Sequence, residues 1–241
     1  MTSNNLREII HSLRERLTTG RLGAGIVSSM TGMLAAAGYE YDVARFPALP
    51  SNHAWPTDLQ DAPQSLAEAL LWKMGKWEVY RSFVAYVADA NSAPKPTDVV
   101  FYAFAKHLAN SSRPIYDQHA LRALWAIDSS MTHGQIGLCR SLLATRDGKW
   151  KASASGASTS EGYQLYLDRV ERIRDESLTL DALDKLLMPL GQALKQHTAD
   201  RADKERTTHI TEFNRLAGLA SDATRRRMTC LDAPRPPGPG A

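Results

Sequence analysis

The sequence predicts an all-α protein: one helical domain, or one domain built from two helical lobes, over residues 1–223, followed by a disordered tail over 224–241. Three observations carry that reading. Apolar residues recur at spacings of three and four through most of the chain, strand-type alternation is scarce, and long segments rich in Ala, Leu, Arg and Glu recur.

Within Asn5–Leu17, the residues Leu6, Ile9, Ile10, Leu13 and Leu17 trace one stripe opposed by Arg and Glu, the pattern of a helix with one buried face. Gly20-Arg21-Leu22-Gly23-Ala24-Gly25 has the glycines of a phosphate-cradling loop, but no strand precedes it and no Lys-Ser/Thr closes it, so it reads as a connection. A second helix covers 26–37. Residues 38–63 form a long loop rich in proline and aromatics, among them Phe46 and Trp55. Loops of that length within a compact domain are often functional, and these aromatics either stack on a base or pack onto the core.

The segment 64–86 carries Leu66, Ala69, Leu70, Trp72, Trp77, Tyr80, Phe83 and Val84 at helical spacing. Lys73-Met74-Gly75-Lys76-Trp77 interrupts it and sets two cations beside an aromatic plate, suited to phosphate contact by Lys73 or Lys76 or to a plain solvated edge. Val99–Ala109 is an apolar helix ending at Asn110-Ser111-Ser112. After residue 127 come a loop over 128–134, a short helix over 135–143, and a turn at Asp147–Lys151 running into the Ser/Gly-rich stretch 152–160. Amphipathic helices follow at 163–175 and 178–197, and a more polar one at 204–220. The Pro/Gly end from Asp232 onward lacks the apolar residues to pack.

Composition bounds the class. Apolar residues at 43% and charged residues at 23% suit a globular domain able to bury a core. No apolar run approaches the roughly 18 residues of a membrane span and no signal-type segment opens the chain, so a cytoplasmic monomer is expected. Cys139 and Cys230 are the only cysteines, too few for a four-iron cluster, and neither has a Cys or His at zinc-ligand spacing. His53, His107 and His133 are scattered and form no triad or metal set, so neither metal nor cofactor is expected. The net charge of +3 permits a nucleic-acid partner without indicating one.

The stretch around which the chain is organised is Arg113-Pro114-Ile115-Tyr116-Asp117-Gln118-His119-Ala120-Leu121-Arg122. Pro114 drives its predecessor out of the α region, Ile115 and Tyr116 are short and extended, and Asp117 stands where a helix N-cap belongs. Leu121, Leu124 and Trp125 then supply the buried stripe of the next helix. By itself such an Asp is a cap.

In its setting, an apolar helix, a polar break, and then Ile115-x-Asp117-x-His119-Ala120-x-Arg122, the stretch resembles the C-terminal part of the helix-hairpin-helix DNA glycosylase signature. In that superfamily the turn reads V-D-T-H-V-x-R and its Asp is the catalytic carboxylate. The segment Ser65–Trp77 resembles the family's early core helix, and Leu180–Gly191 a late helix of small bacterial glycosylase-like proteins. The resemblance implies a DNA-binding and catalytic lobe over about 63–130, with the remaining helices forming a second lobe. It further implies catalysis by Asp117 and a flipped base held by Trp72, Tyr116, His119 and Trp55. Phosphate contacts are then expected from Lys73, Lys76, Lys95, Lys106 and Arg122. Double-stranded DNA with a modified base is the implied partner, a bulky modified cytosine of the viral type being the first candidate, with a role in defence, and an oxidised purine or alkylated base the alternative.

Two departures modify what is implied. The family hairpin L-P-G-hydrophobic-G is replaced by Asn91–Asp98, which lacks the glycines that bring backbone amides to a phosphate. Asp98 and Val99 stand where bifunctional members place a Lys nucleophile, so a monofunctional enzyme is implied. The alternatives are a helical module that binds nucleic acid or protein without catalysis, and an unrelated helical enzyme.

Overall fold

A computed structural model describes residues 1–41, 63–95, 97–110, 112–151 and 159–219. These residues form ten helices and no strand: α1 (Ser3–Thr19), α2 (Ala24–Ala36), α3 (Leu66–Lys73), α4 (Trp77–Ala88), α5 (Val99–Ala109), α6 (Gln118–Ile127), α7 (His133–Leu143), α8 (Thr159–Ile173), α9 (Leu180–Glu205) and α10 (His209–Leu216). Most of the long loop, Trp55 and His53 included, lies outside the described residues, as do residues 152–158 and the C-terminal tail.

Local chemistry sets most helix starts. Thr2 caps α1 by accepting the amide of Asn5, and the expected stripe Leu6, Ile9, Ile10 and Leu13 is buried. Ser65 and Glu68 form a reciprocal capping box on α3, and Thr132 and Gln135 form another on α7, which therefore begins two residues before the expected start at 135. The expected helix over 64–86 is two helices. Gly75, at φ +68°, takes a left-handed turn that a side chain would strain, and it lies between the end of α3 and the start of α4.

α9 corrects the sequence reading most. The expected helix over 178–197 continues to Glu205 despite Pro189, and it stops where Arg206 adopts a left-handed conformation at φ 55°. The polar helix expected over 204–220 is accordingly the shorter α10. α9 packs against α6, α2 and α10, and α6 also meets α1, α7 and α8. α6 is thus surrounded, with every residue from Ala120 to Ile127 buried. A second, smaller cluster of Tyr86, Val87 and Ala105 joins α4 to α5. A ladder of tilted and edge-on rings, Tyr86–Tyr102–Tyr163–Tyr116–Tyr166, connects it to the main core.

Candidate functional site at the N-terminus of α6

Asp117 is the N-cap of α6, as its position after Ile115 and Tyr116 predicts. Its Oδ1 accepts the amides of His119 at 2.6 Å and Ala120 at 2.9 Å. Its Oδ2 has no hydrogen-bond partner among the described residues, and the residue is half-buried. One oxygen is therefore held by the backbone, and the other is left without a partner among the described residues.

The α6–α9 crossing fixes this turn in space. A methyl built on Gly191 would lie 1.9 Å from the carbonyl oxygen of His119, so only a glycine lets α9 pass so close to the first turn of α6. One residue class further along the helix, Arg122 is fully buried. Its guanidinium lies over the Trp150 ring at 4.5 Å, and Nη1 donates to the Gly191 carbonyl at 3.3 Å and approaches His119 Nδ1 at 3.3 Å. Arg can only donate, so in that pair Nδ1 is the acceptor. Burial holds His119 below its ordinary value, with the nearby Arg122 and Lys195 cations acting in the same direction and Asp117 opposing. Burial likewise pushes the Arg122 guanidinium down to about 10, against the attraction of Asp117, and the group stays charged at neutral pH.

A second carboxyl stands behind the turn. Asp184 on α9 is 2% exposed, and its Oδ2 accepts the amide of Ile115 at 3.0 Å. Its Oδ1 lies 3.4 Å from the Tyr166 hydroxyl. Burial pushes this carboxyl up to about 8. The Ile115 amide and the Tyr166 hydroxyl oppose the shift, while Asp181 and Asp117 add to it. Half-buried Tyr41 is pushed up to about 12 by burial and then by Asp184, Asp117 and Asp181, so it fronts the same group of carboxyls.

The other residues singled out in the sequence divide into three groups. Trp72, Lys73 and Lys76 are exposed on α3 and its turn, Trp72 at 60%, and Lys95 is exposed between α4 and α5. Among the described residues, no hydrogen bond or ring contact joins Trp72 to the Asp117 turn. Tyr116 is fully buried among Tyr163 and Tyr166 and is a core residue rather than a face for a flipped base.

Two expected phosphate contacts are corrected. Arg122 lies in the core against Trp150, because α6 is packed on all sides and leaves it no route to the surface. Lys106 is 5% exposed, and its ammonium donates to the backbone carbonyl of Asp89, closing the end of α4. Sequence reasoning missed Asp184, Gly191, Tyr41 and Trp150. A signal for Asp184 was present: it sits on the apolar face shared by Leu180, Leu183 and Leu187, where a carboxyl has to be buried.

Among the described residues, no group of three or more His, Cys, Asp and Glu is arranged to hold a metal ion, and no helix is long and apolar enough to cross a membrane. No family model, no curated protein and no solved structure matches this chain.

Proposed function

We propose that the chain is a monofunctional DNA glycosylase, which flips a modified base out of duplex DNA and hydrolyses its N-glycosidic bond to leave an abasic site. The observation that supports this reading is the arrangement of Asp117. One oxygen is held by two α6 amides, the other has no partner among the described residues, and an imidazole that burial holds below its ordinary value stands beside it. As the C1′–N bond stretches, positive charge gathers on the sugar, and a fixed carboxylate stabilises it without reorganising. Oδ2 then takes a proton from a water whose oxygen bonds to C1′, while the base leaves with the bonding pair and takes a proton from solvent, to which Asp117 later returns its own. A single carboxylate suffices for this, unlike hydrolases that need an acid and a nucleophile together. Lys73, Lys76 and Lys95 supply exposed positive charge for phosphates, and exposed Trp72 a plate for stacking. A bulky modified pyrimidine is the first substrate to test, and removal of such bases from viral DNA the biological role that would follow.

The test is an abasic-site assay on duplexes carrying normal, oxidised, alkylated or virally modified bases, with each product split with and without alkali. Alkali-dependent breaks on one substrate, absent in Asp117→Asn, are the expected result. Breaks without alkali would overturn the monofunctional assignment and direct attention to Lys195, whose charge acts on His119 and Arg122. No breaks on any substrate, with DNA still bound, would favour a non-catalytic binding module. One observation favours that second reading: Leu66, Leu70, Trp72 and Met74 are all more than half exposed on α3 and its turn, beside Lys73 and Lys76.

A further inference from the structure

We propose that Asp184 is a positioning residue, a buried carboxyl on α9 that grips the Ile115 amide and thereby aims Asp117. The inference rests on the glycosylase reading for its kinetic consequence, though not for its geometry.

Ile115 and Tyr116 are the extended link between the Pro114 break and the α6 cap, so whatever holds Ile115 sets where Asp117 begins. Both Ile115 and Tyr116 are buried, and an unbonded Ile115 amide in that place would be costly. Asp184 meets that need from 69 positions away, at 3.0 Å and in a buried setting. Its other oxygen lies against Tyr166 on α8, so the same side chain ties α8 and α9 to the turn. The pinch at Gly191 and His119 holds the α6 side of Asp117, and Asp184 holds the side before it. Asp117 is clamped between two contacts to one helix.

The carboxyl can accept from Ile115 in either protonation state, and what its proton changes is the charge placed near Asp117. The groups that face it are Asp181 on its own helix, Asp117 at the head of α6, Tyr166 on α8 and Tyr41 before the long loop, and none of them is a cation. Protonated, Asp184 accepts from Ile115 and exerts no charge on Asp117. Ionised, it places a second negative charge near the carboxylate that must face the sugar.

The experiment compares wild type, Asp184→Asn and Asp184→Leu in single-turnover base release on the substrate cleaved by wild type, from pH 6 to pH 9, together with amide hydrogen exchange at Ile115. The Leu variant is expected to lose about tenfold to a hundredfold in rate with DNA affinity unchanged, the scale of a reacting group displaced by about an ångström. The conservative Asn variant, whose carbonyl still accepts from Ile115, is expected to restore the rate and to lack the fall that wild type shows above about pH 8. A folded Leu variant with wild-type kinetics, or an Asn variant that keeps the alkaline fall, would overturn the proposal. If wild type releases no base at all, the glycosylase reading fails and the exchange measurement decides the clamp alone. Ile115 protection kept in Asn and lost in Leu upholds it, and equal protection in all three refutes it. Should the Leu variant not fold, the pH profile and Ile115 exchange of the Asn variant remain decisive.

Discussion

Replacing Asp184 with Asn should make this protein more stable as the pH rises, and the size of the effect follows from the burial of the carboxyl. In the unfolded chain an Asp gives up its proton near 3.8, whereas in the fold burial pushes Asp184 up to about 8. Between those values the folded state holds one proton more than the unfolded state. Unfolding free energy therefore falls with rising pH, by up to about 1.4 kcal/mol per unit across a window of about four units. The ceiling is about 6 kcal/mol, and relaxation and water entry around an ionised carboxyl reduce it to a few kcal/mol. The contribution is fully present below pH 4 and lost once the pH passes about 8. Asn cannot ionise, so its curve lacks this slope. Urea unfolding followed by tryptophan fluorescence at several pH values from 4 to 9 should show the two proteins close together at the acid end. Asn should then be more stable by roughly 3 kcal/mol at pH 8. A difference between the two that does not change with pH would refute the reasoning, because every other titrating group is common to both.

Gly191→Ala should destabilise by about 3 kcal/mol or more, since its methyl would meet the His119 carbonyl at 1.9 Å and force α6 and α9 apart; a melting temperature equal to wild type would contradict that crossing. Two buried arginines should respond very differently to replacement by Met. Arg169 pairs with Asp128 at 2.6 Å with both side chains buried, and Arg169→Met should cost about 3–5 kcal/mol by leaving a buried carboxylate alone. Among the described residues Arg122 has no carboxylate in ion-pair range and its Nε and Nη2 have no partner, and its charge is already disfavoured by burial. Arg122→Met should therefore lie within about 1 kcal/mol of wild type in the same unfolding assay, and a loss as large as that of Arg169→Met would show that the Trp150 contact is worth far more than a ring–cation pair should be.

The sequence by itself determined what depends on near neighbours along the chain. The helical class follows from apolar spacing, and the buried stripe of α1 was legible as Leu6, Ile9, Ile10 and Leu13. The stop after Ala109, the extended link through Ile115 and the cap at Asp117 follow from Pro114 and from the affinity of a carboxylate for free helix amides. The break at Gly75 was legible for the same local reason.

What tertiary structure alone decided is which polar side chains remain at the surface. Arg122 and Lys106 read as phosphate contacts because cations on helices usually face water, yet α6 is enclosed by α1, α7, α8 and α9, and the Lys106 ammonium closes the end of α4. Tyr116 reads as a base platform and is a core ring, whereas Trp72 reads as partly core and is exposed. The extension of α9 past His197 depends on partners as distant as Ile210 and Phe213, which no local propensity reports. The second carboxyl of the site comes from 69 positions away, through a crossing that Gly191 makes close enough for Asp184 to reach Ile115. Capping and periodicity act within a few residues and can be read in one dimension. Burial depends on what the rest of the chain places alongside, and so the chemistry of Asp184 and Arg122 exists only in the folded protein.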